Sequence, residues 1–250
     1  MDTPDPVQRW LAHVGALADG IGPRGPTTEG ERRGHDYCEQ QLRATGLTPV
    51  REGFVSARSI FLPHLTAATL MLVAFAGYPL AGRLSAALAA SVSLLTVLNE
   101  VLELGYRPNL IRRVLPTAPS QNVHAVVEPS GEPLRDVVVV GHVDTQRTPV
   151  VFRSPGWVRV YAVSSLLVFL AFLSQVGLQA AGAVWQWSWV FPATIPAAVA
   201  ALALAAMCIE AERSPFTAGA NDNASAVGLV LELARRYRAA PLAGTRLWAL

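Results

Sequence analysis

Fifty consecutive residues, Val160 to Ile209, contain no Asp, Glu, Lys or Arg. No other feature restricts the fold as strongly. Crossing the hydrocarbon core of a bilayer takes about 20 apolar residues, so this stretch holds two spans. Ser59 to Gly82 adds 24 charge-free residues, and Leu84 to Asn99 adds 16. The expected spans are 60–81, 84–104, 158–178 and 189–209, paired as two hairpins. Trp185, Trp187 and Trp189 fall between the last two, where an interfacial aromatic belt would lie. Only 15% of residues are charged, against about 25% in soluble domains, which agrees with this division.

The rest of the chain is ordinary in polarity. Arg51, Arg58, Arg107, Arg112, Arg113, Arg153, Arg159 and Arg213 flank the spans on the side of the polar segments, and Arg83 alone lies in a connecting loop opposite. The positive-inside rule then predicts cytoplasmic polar segments. The first ten residues do not resemble a basic-then-apolar signal sequence. The two cysteines, Cys38 and Cys208, build no disulfide framework and read as packing residues. Nothing in the charge pattern points to nucleic acid, and oligomeric state is not encoded in any visible pattern.

Five segments follow: 1–57 polar, 58–106 membrane hairpin, 107–156 polar, 157–210 membrane hairpin and 211–250 polar. In the first, Val7, Leu11, Val14 and Leu17 share a helical face. Ile21-Gly22-Pro23-Arg24-Gly25-Pro26 breaks that helix. Thr28 to Thr45 predicts a second helix, with Thr27 or Thr28 as its cap and Gly46 as its stop. Leu47 to Phe54 fits an edge strand and Asn122 to Val127 a further strand. Val137 to Val140, an unbroken β-branched run, predicts a central strand buried on both faces. Val227, Val230, Leu231 and Ala234 space a helix over 224–237, and Thr245 to Leu250 begins another strand. The fold class is therefore α/β, with helical hairpins inserted. Because each hairpin has two spans, the polar segments return to one side and can form one domain.

Two polar motifs stand at the ends of these elements. Gly141-His142-Val143-Asp144-Thr145 follows the valine run, and sites in open α/β sheets form at the carboxyl ends of strands. Asp144, two residues beyond His142, points the same way if the chain stays extended. A carboxylate beside a metal-bound imidazole fixes its tautomer. Gly219-Ala220-Asn221-Asp222-Asn223-Ala224-Ser225 precedes the 224–237 helix. Asn223 can cap that helix, leaving Asp222 to face the sheet, where a carboxylate can bridge two zinc ions about 3.5–4 Å apart. His13, His35, His64 and His124 have no ligand spacing with one another and read as structural or solvent-facing. Glu100 and Glu103 are expected to snorkel from a helix end.

These motifs, with Ile21-Gly22-Pro23-Arg24, Gln121-Asn122-Val123 and Leu231-Glu232-Leu233-Ala234-Arg235, resemble family 28 of the metallopeptidases, the co-catalytic zinc aminopeptidases and their relatives. The resemblance covers 1–55, 115–150 and 216–250, and leaves out the membrane hairpins. It implies a phosphorylase/hydrolase-like zinc-aminopeptidase domain, two zinc ions and a peptide substrate attacked by zinc-bound water. His142 would bind one zinc, Asp222 would bridge both, and Asp144 would be the catalytic-site carboxylate that orients His142. Ala226 stands where the family usually has glycine. The family's paired glutamates, later acidic ligand and second histidine have no counterpart up to Leu250. The resemblance thus implies an incomplete domain, weak or no zinc binding by residues 1–250, and no activity of that piece alone. The alternatives are a non-catalytic membrane scaffold with a degenerate peptidase domain, a related dizinc deacylase, and last a transporter, since no inverted repeat relates the two hairpins.

Overall fold

A computed structural model describes residues 5–250 and divides the chain into two compact units. One comprises residues up to Arg58, Thr117–Arg147 and Pro215–Leu250; the other comprises Ser59–Pro116 and Thr148–Ser214.

The first unit is mixed α/β. Helix α1 (Pro6–Gly15) runs into a π-helical turn (Ala16–Ile21) and ends at Gly22, whose φ of 82° suits a residue without Cβ. Helix α2 (Glu29–Ala44) starts as its sequence dictates: the Thr28 hydroxyl accepts from Glu31 N, and Glu31 reaches back to Thr27 N at 2.7 Å. Strand β1 spans Val50–Ala57. The second unit supplies helices α3 to α8, described below. Strands β2 (Thr117–Val127), β3 (Arg135–Val139) and β4 (Thr245–Ala249) complete the sheet, with helix α9 (Ser225–Ala239) ahead of β4.

The sheet order is β1-β2-β4-β3. β1–β2 and β2–β4 are antiparallel, and β3–β4 is parallel, with Val137 opposite Leu247. Alternation along the strands sends Val123, Ala125, Val127, Leu247 and Ala249 to one face, where they meet Cys38 and Leu42 of α2 and Val227, Val230, Leu231 and Ala234 of α9. All four residues predicted to line the inner face of α9 are buried there.

The valine run departs from expectation. Among the described residues β3 is an edge strand, and Val137, Val138 and Val140 are 42%, 58% and 61% exposed. Only Val139 packs against the core. A β-branched run fixes the strand, but whether its outer edge is covered depends on a partner strand that composition does not name. β3 has its charges, Arg135 and Asp136, at its start, whereas β1, the opposite edge, carries Arg51 and Glu52 between exposed Val50 and Phe54.

The second unit is helical: α3 (Leu62–Gly77), α4 (Gly82–Leu104), α5 (Leu110–Val114), α6 (Pro155–Trp185), the short α7 (Val190–Ala193) and α8 (Ile195–Arg213). Three stretches are long and apolar enough to cross a membrane: Gly82–Leu104, Pro155–Trp185 and Val190–Arg213. The span expected over 60–81 is the exception. α3 has 16 residues, a rise of about 24 Å against roughly 30 Å of hydrocarbon. The chain around Ser59 is held in a turn instead: the Ser59 hydroxyl accepts from Phe61 N and Leu62 N and pairs with Glu212. An even number of crossings therefore rests on α3.

Polarity is inverted in this unit. Leu84, Leu88, Val163, Leu166, Leu167, Val199 and Leu202 point outward, while Ser93, Thr96, Gln175 and Gln179 are buried. Alanines 68, 89 and 201 and Gly182 let the helices approach closely. A Cβ on Gly182 would lie 1.8 Å from the Tyr78 hydroxyl. Ser93 Oγ donates to Gln179 Oε1 at 2.7 Å, and Gln175 Nε2 donates to Met71 O at 2.9 Å. The glutamates do not snorkel as expected. Glu100 is 6% exposed and pairs with His64 Nδ1 at 2.7 Å, while Glu103 pairs with Arg112. Partners on other helices make the inward rotamers favourable. Trp185, Trp187 and Trp189 form a stack with centroid separations of 4.9 and 5.5 Å.

Candidate metal centre

β3 ends at Val139, and Leu250 N and O hold the following residues, bonding Val139 O and Gly141 N at 2.9 Å each. Gly141 packs on the start of α9: a Cβ there would lie 3.0 Å from Val227 N. Side chains then alternate, so that Val143 enters the core and His142 and Asp144 stay accessible. His142 Nδ1 lies 3.3 Å from Asp144 Oδ1 and 3.1 Å from Asp144 O. That leaves Nε2 free of this loop, and it faces Asp222 Oδ1 at 3.2 Å.

Asp222 comes from the second motif, a π-helical turn over Ala220–Ala224 that leads into α9. Asp222 and Asn223 depart from helical φ/ψ there, and the peptide between them is cis. The N-cap of α9 is Ala224, with no side-chain cap. Asn223 thus does not cap the helix as expected, because the turn carries it out of cap position; Ser225 Oγ instead donates to Asn221 O at 2.8 Å.

Two glycines bring the motifs together. Gly219 has φ 66°, and a Cβ on it would fall 2.3 Å from Thr145 Cγ2 and 2.7 Å from Asp222 O. A Cβ on Gly34 would fall 2.4 Å from Val143 Cγ1. Beside the site lies a cavity of about 250 Å³, lined in part by Glu31, His35, His142 and Asp144. Burial pushes the His35 imidazole down to about 4 and raises the Glu31 carboxyl, so His35 is neutral at pH 7. Burial also pushes the Cys38 thiol up to about 12, which makes it an inert packing residue. His13 bonds Tyr37 at 2.7 Å, and His124 packs on Trp248, neither near His142 in any contact.

The fit to zinc can be judged from distances. Ligand atoms about 2.0–2.2 Å from a tetrahedral zinc stand about 3.3–3.6 Å apart. His142 Nε2 and Asp222 Oδ1, at 3.2 Å, lie just inside the short end of such an edge. Asp144 at the other ring nitrogen sets the tautomer that presents Nε2. Among the described residues, no group of three or more His, Cys, Asp or Glu side chains is arranged to hold a metal ion. The residues present therefore supply one edge of a coordination sphere.

Sequence reasoning gave no role of its own to Arg24. It is fully buried, and it touches both motif loops. The available signal was an arginine inside a Gly/Pro-rich turn, where neither turn geometry nor solubility calls for one. No family model matches this chain, and neither a curated protein nor a solved structure does.

Proposed function

We propose that this chain carries part of the site of a multi-pass membrane zinc peptidase, aminopeptidase-like, that hydrolyses a peptide bond. The observation that carries the reading is the 3.2 Å approach of His142 Nε2 to Asp222 Oδ1, with Asp144 on the opposite ring nitrogen. Zinc, when bound, supplies an electrophile and lowers the pKa of water. His142 would ligate one ion, Asp222 would bridge two, and Asp144 would orient the imidazole. Two protein ligands are fewer than the three a catalytic zinc takes. The proposal therefore includes a further segment of polypeptide that contributes the remaining ligands and a general base. The bilayer is the second partner, contacted by the outward leucines and valines of α4, α6 and α8. Arginine placement supports a cytoplasmic site.

The coding DNA beyond codon 250 is the first test. An apolar strand followed by paired glutamates, then a later acidic residue and a histidine, supports the proposal. A stop codon after Leu250 leaves the scaffold reading. In a polypeptide carrying all ligands, His142→Ala should abolish hydrolysis and lower zinc content; unchanged hydrolysis sinks the proposal. Residues 1–250 alone should bind zinc weakly or not at all, so tight stoichiometric binding would overturn the ligand assignment.

A further inference from the structure

Arg24 is 0% exposed. Its Nε donates to Val143 O at 2.8 Å. One terminal nitrogen reaches Leu17 O, Gly22 O and Ala218 O at 2.5, 2.7 and 3.0 Å, and the other reaches Gly219 O at 3.3 Å. Its own backbone is engaged as well. Arg24 N donates to Thr145 Oγ1 at 3.0 Å, and Arg24 O accepts from Thr145 N at 2.9 Å. Among the described residues no carboxylate lies within ion-pair distance of its guanidinium. Burial lowers its pKa, and Asp144 partly offsets that. Placing a charge here among carbonyls alone is expensive, and packing does not require it, since an apolar side chain of this volume would fill the space at less cost.

What the arginine does is join two loops. Val143 sits between His142 and Asp144, and Gly219 opens the turn that carries Asp222. A rigid planar fork is the side chain suited to holding carbonyls of separate segments at fixed spacing. We infer that Arg24 is a positioning residue that fixes the 141–145 loop against the 218–222 loop, so that His142 and Asp222 meet. The inference deepens the proposed function and rests on it, because meeting matters only if the two side chains share a ligand. Arg24 itself touches neither His142 nor Asp222; it acts through the loop carbonyls.

The test needs no metal. His142→Cys and Asp222→Cys are introduced together in the full chain in detergent, and a short bifunctional bimane reports their approach by its cross-linking rate. Cys38 and Cys208 are buried and stay silent. Added to this pair, Arg24→Lys keeps the charge but offers one donor atom in place of the three spaced guanidinium nitrogens that reach Val143, Ala218 and Gly219. Cross-linking should slow about tenfold or more in Arg24→Lys, and likewise in Arg24→Gln, with a cooperative melt retained. Arg9→Ala, on α1 with its guanidinium on Glu232 rather than on either motif loop, should leave the rate unchanged. If Arg24→Lys lowers the melting temperature but cross-links at the parent rate, Arg24 is only structural and the inference is wrong. If Arg24→Lys does not fold, Thr145→Ala, which removes one anchor of the same turn, gives the same decision. Failure of the zinc reading would show separately, as undiminished hydrolysis by His142→Ala.

Discussion

In the sheet unit a fully buried guanidinium, Arg24, bonds carbonyls of three separate segments, two of them loops. In the helical unit the fully buried Ser93, Gln175 and Gln179 bond one another and carbonyls of α3. Both devices pair a side-chain donor with a backbone acceptor, but the segments they join differ. Leu17 O and Gly219 O also accept from Gly22 N and Ala224 N, but among the described residues Val143 O, Gly22 O and Ala218 O accept from Arg24 alone, so losing that donor orphans them. Carbonyls within α3 already accept helical bonds, so the glutamine amides add a second partner rather than the first. The lesson is that burial alone does not measure how much a polar group contributes; what its partner would otherwise bond does.

That difference can be broken by substitution. Arg24→Ala should cost the most, about 3–5 kcal/mol, because it orphans several carbonyls and leaves a void. Chemical denaturation of the sheet unit, followed through Trp10 or Trp248, checks it. Next comes pH. His35 has a folded-state value near 4 against an ordinary 6.5. A lowered folded pKa means the unfolded chain binds more protons between these values, so stability is full above pH 6.5 and is lost as pH falls toward 4. The loss should approach roughly 3 kcal/mol. His35→Gln should flatten melting temperature across that window; a slope equal to the parent's would rule His35 out as its source. In the helical unit, Gly182→Ala drives a methyl into the Tyr78 hydroxyl and should cost about 1–3 kcal/mol, read by unfolding in detergent. Gln175→Met should be the mildest, within about 1 kcal/mol of neutral. Among the described residues Gln175 Oε1 is buried without a partner, so the change also removes an unsatisfied acceptor. A large loss at Gln175 would erase the contrast with Arg24.

Some of this was legible in the sequence, and the reason is range. Thr28 caps α2 through a bond three residues long, and the α9 face follows from spacing within four turns. His142 and Asp144 meet because they are two residues apart on one extended segment. Asp222 was singled out by its motif, but its 3.2 Å approach to His142 spans 80 residues and could not be read from spacing. Arg24 bonds Val143 and Ala218 across 119 and 194 residues. The His64–Glu100 pair joins two helices and stayed hidden for the same reason. α3 fell short because apolar composition limits where a span can lie, whereas the Ser59 turn decides where the helix starts. β3 was read correctly as a strand and wrongly as central, since position in a sheet depends on neighbours.

The bare edge of β3 has a consequence for handling the protein. The outer backbone amides and carbonyls of Arg135–Val139 lie beside three exposed valines, with no charged gatekeeper between Val137 and Val140. β1 also exposes Val50, Phe54 and Val55, but Arg51 and Glu52 stand between them and act against self-pairing. Colloidal behaviour should therefore be asymmetric. As concentration rises, residues 1–250 should associate through the valine edge, and a lysine at Val138 should keep the preparation monodisperse where the same change on β1 does little.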